Sequence, residues 1–236
     1  MTRRSSSAKR PLLSDDRLRT ITADDLARIK LYPDEIARLR AISEDRERAR
    51  MSRVARLGEE ERPLVADLAK VGIRVRSVWD LVNTSRPYPD AIPVLLAHLL
   101  LPYSDRNVEG IARALAVGHP LVREAWPILV RRYEEAPTGS GRVAPGDEES
   151  LRFSAKDGLA CTLAVAATER RVPEVIRLVR DPVMGSSRIL LLKVLKRHAK
   201  AVAELSDVLE DLSRDSDLAK EVRHLFPEIG PAAGPG

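Results

Sequence analysis

Cysteine is almost missing: Cys161 is the single one in 236 residues, so no disulfide can close within the chain and a reducing, cytoplasmic setting is expected. Aromatic residues make up only 3%. Leu, Val, Ile and Ala must then fill the interior, a palette that suits helix on helix better than a β-sandwich. Histidine is sparse as well, and His98, His119, His198 and His224 never stand at helical ligand spacing from one another or from Cys161. A metal site needs several converging nitrogen or sulfur ligands, so neither metal nor cofactor is expected. The longest apolar run, "AIPVLLAHLLL" at 91–101, is interrupted by Pro93 and His98 and falls well short of the roughly 20 residues of a membrane span. No apolar stretch follows the basic N-terminal residues, so a cleaved secretory signal is not expected.

What is present is 44% apolar and 32% charged, the balance of a globular protein with a busy surface. The formal charge of +5 suggests nucleic acid until it is divided along the chain. Residues 1–20 hold six basic side chains against Asp15 and Asp16, residues 21–62 hold ten of each sign, and the remainder holds 24 basic and 23 acidic. The body is nearly neutral, whereas a protein gripping many phosphates carries its excess on the folded surface. Arginine far outnumbers lysine, which reads as GC-rich, bacterial coding.

Residues 1–20, opening "MTRRSSSAKRP", have little to bury and are expected to be a disordered basic tail. Residues 21–62 read as a charged helical segment of two or three helices. Thr22 is placed to cap "ADDLARI", Pro33 to start a second helix, and Ser43 to cap "EDRERARMSRVARL", in which Glu44 can pair with Arg48. From Pro63 the pattern changes to short apolar helices in pairs. First members fall at about 63–71, 89–100, 121–135, 172–180 and 201–212, second members at about 75–83, 106–117, 151–168, 186–198 and 215–225. Aligning Pro93, Pro127, Pro173 and Ala203 gives steps of 34, 46 and 30 residues, the period of stacked helical hairpins. The long step contains "APTGSGRVAPGDEES", an inserted loop at 137–150, and a flexible tail is expected at 227–236. Pro93 and Pro173 fall in first turns, where a missing N–H removes no intrahelical bond, while Pro127 is expected deeper, bending a helix that begins near Leu121.

These residues resemble the HEAT-repeat family, whose first helix commonly carries such a proline, with an aspartate at the turn and a basic residue early in the second helix. Pro173, Asp181 and Arg188 lie in nearly that spacing. In the preceding repeat Pro93 and Asp105 are present and "VEGIARALA" looks like the family's second helix, but Glu109 stands where a basic residue is often found; the last repeat has Ala203 in place of the proline. The resemblance covers about 63–226 and implies an all-α fold: a right-handed α-solenoid of stacked antiparallel helix pairs, preceded by the charged helical segment. It implies little about chemistry, because the family hosts scaffolds, nucleic-acid binders, lyases and repair enzymes.

No ordered acid, base and nucleophile set is recognisable. Cys161, in "LACTLAVA", reads as a small core residue, and "TGSGR" at 138–142 lacks the ending and spacing of a P-loop. "GSSR" at 185–188 reads as a serine-capped helix start. Trp79 and Trp126 sit at core-compatible spacing. The best surface candidate is "SSRILLLKVLKRHAK": Lys193, Lys196, Arg197 and Lys200 at i, i+3, i+4 and i+7 form a positive stripe, with Leu191, Val194 and Leu195 facing the core. Arg188 precedes them on the same segment. The resemblance places such second helices on the concave side, where these five residues would bind a partner. The expected function is a non-catalytic scaffold or adaptor that binds a protein. The alternative is a nucleic-acid protein resembling DNA-alkylation repair glycosylases, with Trp126 and Asp157 at the damaged base.

Overall fold

The computed structural model describes residues 10–202 and 205–227. Of the tails expected over 1–20 and 227–236, residues 1–9 and 228–236 lie outside the described residues, as does Ala203 of the last repeat. Thirteen α-helices and three 3-10 segments stand against one two-residue ladder, so the fold is all-α. No helix among the described residues is long and apolar enough to cross a membrane. Contacts divide the chain into two units, one ending at Ala55 and one beginning at Arg56.

In the first unit, helix α1 (Asp15–Thr20) is capped by Ser14, and α2 (Ala23–Arg28) by a reciprocal box between Thr22 and Asp25. Both precede α3 (Pro33–Lys70), whose first part belongs to this unit. Residues 10–20, assigned to a disordered tail by composition, are held by one buried acid. Glu35 accepts from Arg10 (2.7 and 3.0 Å), from Leu13 N at 2.7 Å and from Tyr32 N at 2.8 Å. The Arg10 bond, aided by those amides and opposed by burial, draws its carboxyl down to about 2. Where separate helices are expected to start at Pro33, Ser43 and Pro63, one helix runs throughout. Ser43 lies inside it, and Arg48 pairs with Asp45 rather than Glu44.

The second unit begins with the remainder of α3, which runs through Pro63 instead of starting there. Proline removes one intrahelical bond. Contacts on either side hold the helix: Glu60 accepts from Ser104 N (2.8 Å) and Asn107, Glu61 from Ser77 and Val78 N, while Leu64 and Leu68 are buried. There follow α4 (Trp79–Val82), α5 (Ala91–Leu99), α6 (Asp105–Ala114), α7 (Pro120–Glu124) and α8 (Trp126–Glu135). The expected bend at Pro127 is a break, because Ala125 leaves helical geometry at ψ 8° and Pro127 falls in the first turn of α8. The inserted loop forms a ladder between β1 (Ser140–Gly141) and β2 (Leu151–Arg152). Arg56 holds it through Pro145 O and Asp147, and Arg106 N through Val143 O.

The chain continues through α9 (Ala155–Ala166), α10 (Val172–Arg180), a 3-10 segment Pro182–Leu191, α11 (Leu192–Arg197), a 3-10 turn Ala199–Ala201, α12 (Leu205–Ser213) and α13 (Ala219–Leu225). The single helix expected at 186–198 is thus split. Residues 186–191 belong to the 3-10 segment, which kinks just ahead of them at Gly185 (φ 68°), and only 192–197 are α-helical. Ser187 Oγ donates to Met184 O at 3.0 Å, the local bonding by which serine competes with a helix.

Helix α5 packs on α6, α8 on α9, α10 on α11 and on the 3-10 segment before it, and α12 on α13. Between pairs, α4 meets α6, α6 meets α9, α9 meets the segment Pro182–Leu191, α11 meets α13, and α10 meets α12. Glycines allow two of these crossings. A Cβ on Gly110 would lie 2.6 Å from Val78 Cγ1, and one on Gly158 would lie 3.0 Å from Glu109 O. One hydrophobic cluster runs from Leu64 to Phe226.

Candidate functional site

The five basic residues placed on one face by the sequence part company. Arg188 is 1% exposed. It donates to Val179 O (3.1 Å), Gly185 O (2.8 Å) and Asp215 (2.7 and 3.3 Å), tying the end of α10 to the kink and to the turn before α13. A residue bound on every side is a clamp, not a partner contact, which corrects its assignment. Lys200 sits in the 3-10 turn beyond the end of α11, so the helical register linking it to Lys193 is broken. Arg197 is exposed and donates to Ala164 O, one of the last-turn carbonyls of α9 that lack an intrahelical donor. Lys193 and Lys196 remain as expected: exposed, on the outer side of α11, with Val194 and Leu195 buried behind them. Among the described residues neither makes an ion pair.

Lys193 shares its surroundings with groups from two other helices. The half-buried Cys161 thiol on α9 is pushed up by burial, with Arg113 of α6 and Lys193 of α11 acting against that rise and Asp157 and Glu109 with it. Arg113 Nη1 lies 4.0 Å from the sulfur. A thiol held protonated by burial is a poor nucleophile, in keeping with a packing role. Glu109, standing where the HEAT pattern often has a base, is buried and holds Arg106 and Arg113, the latter at 2.8 Å. Arg106 in turn lies 4.0 Å above the Trp79 ring. Trp126 is buried, with its Nε1 bonded to Glu174, so its indole has no open face for a base. His98 is tied to Tyr103 (2.8 Å) and Asp67 (3.0 Å). Among the described residues no cluster of His, Cys, Asp or Glu could hold a metal ion.

A residue without a role in the sequence reading stands out chemically. Lys156, on α9, is 5% exposed and borders a pocket of about 220 Å³ between the 137–139 turn, the start of α9 and the kink at Gly185. Burial lowers its ammonium pKa, with Asp181 and Glu134 opposing. Its position was legible: Leu159, Ala160 and Leu163 follow at i+3, i+4 and i+7, so Lys156 is in phase with a buried stripe.

Compared with family models, curated proteins and solved structures, the chain matches none.

Proposed function

We propose that the unit from Arg56 onward is a HEAT-like right-handed stack of antiparallel helix pairs whose second helices offer a concave basic face to an acidic protein partner, without catalysis. The order of contacts supports the stack, since from α6 onward the second member of each pair rests on its own first helix and on the second member of the pair before it. The observation that carries the recognition reading is the state of Lys193 and Lys196. Both are exposed one turn apart on the same side of α11, and neither has an acidic partner among the described residues. Uncompensated positive charge on an ordered helix steers and holds an acidic surface.

The test is affinity purification from the native host with the full chain and with Lys193→Glu/Lys196→Glu, followed by mass spectrometry. A protein recovered with the first and lost with the second supports the reading. Identical recoveries, or none above background, overturn it. Salt-dependent retardation of duplex DNA that the double reversal abolishes would replace it with the nucleic-acid alternative.

A further inference from the structure

Lys156 Nζ donates to the Met184 sulfur at 3.8 Å and lies 5.2 Å from the centre of the Tyr133 ring. A thioether is a weak acceptor and a ring face offers only part of a counter-charge. The ammonium, with three donors, thus has no oxygen partner among the described residues, an expensive condition for a buried charge. The surrounding acids are engaged elsewhere. Asp181 accepts from Val183 N at 3.0 Å, Glu134 pairs with Arg177 at 2.7 Å, Asp157 with Arg152 at 3.1 Å, and Asp217 faces Arg188 at 3.5 Å.

The pocket beside Lys156 is lined by Thr138, Arg152, Phe153 and Ser186 and also by two carboxylates, Asp157 and Asp217, whose charges face Arg152 and Arg188. The Thr138 and Ser186 hydroxyls make no hydrogen bond within the described residues. At about 220 Å³ it is below the roughly 300–1,000 Å³ of sites for drug-sized ligands, which limits the occupant to a small group. It offers one buried cation and, at its exposed rim, two hydroxyls with no partner among the described residues, all able to donate.

We propose that this pocket is a binding site for a small oxyanion, a phosphate or a carboxylate group, with Lys156 supplying the buried positive charge and Thr138 and Ser186 donating hydrogen bonds. It is independent of the basic face of α11. An anion entering there supplies the missing acceptors and favours the charged amine that burial disfavours.

The experiment titrates the full chain with inorganic phosphate and, separately, with acetate at constant ionic strength, by calorimetry and by amide shifts at Thr138, Lys156 and Ser186. Saturable binding of either anion with shifts at those amides is the expected result; a response to phosphate alone or acetate alone identifies the group. Ser186→Ala, a change at an exposed side chain, should weaken binding about tenfold, the scale of one hydrogen bond to a charged group. Lys156→Met should abolish binding without lowering the Tm, because the thioether chain fills the same apolar space without an ammonium. No saturable response to either anion, or an equal response in Lys156→Met, overturns the proposal.

Discussion

Arg188 and Lys156 are both buried cations of the second unit, and their neighbours give them opposite meanings. Arg188 is surrounded by acceptors, so Arg188→Ala should lower stability by about 3 kcal/mol, the scale of breaking a buried pair, measured by urea denaturation; a loss under 1 kcal/mol would remove it as a clamp. Its partner Asp215 lies 27 residues away, and helical periodicity says nothing about so distant a contact. For that reason Arg188 reads from sequence as a surface base at a repeat position. Glu35 in the first unit carries a pH dependence. Its pKa is about 2 against an ordinary 4.5, so its anchoring of residues 10–32 is complete above about pH 4.5 and is lost as pH falls towards 2. Amide exchange at Leu13 and Tyr32 should rise across that window, and Glu35→Gln should show the rise already at pH 7.

Among elements, the helical segments from α5 onward were legible because they carry apolar stripes with turn residues at their ends, and the contacts of α5 with α6, α8 with α9 and α12 with α13 agree with the expected pairing. The boundaries that failed involve proline and serine, whose local preferences compete with packing. Pro63 reads as a helix start, yet contacts on both sides hold α3 through it. Pro63→Ala restores a donor for Glu59 O and should therefore stabilise the protein, by about 1–3 kcal/mol. A lower Tm for this variant would mean that α3 ends before residue 63 in solution. The split of the expected 186–198 helix had a visible cue in "PVMGSS", but a glycine at positive φ is indistinguishable in sequence from an ordinary one. Lys200 is parted from Lys193 and Lys196 at the other end of α11, where His198 leaves helical geometry and a 3-10 turn follows, and that ending decides which charges share a face.

For the whole molecule, α3 is the least supported stretch of regular structure. From Ser43 to Ser52 every residue is exposed, and Asp45–Arg48 and Glu47–Arg50 are surface pairs of a kind worth about 0–1 kcal/mol. Contacts divide the chain only a few residues later. Local opening should start there, so limited trypsin digestion is expected to make its first cut between residues 10 and 227 at Arg46, Arg48 or Arg50, identified by fragment mass. A first cut elsewhere in that range would place the weakest segment in another helix.

Three acids that satisfy amides at helix starts in the second unit come from well earlier in the chain. Glu61 receives Val78 N ahead of α4, Glu60 receives Ser104 N ahead of α6, and Asp105 receives Ser154 N and Ala155 N at the head of α9. During synthesis each acceptor has left the ribosome before the amides that require it, so maturation has a built-in polarity from the N-terminal side. Damage should inherit that polarity: removing the Asp105 carboxylate should unmoor what is made after residue 153 and spare what was made before it.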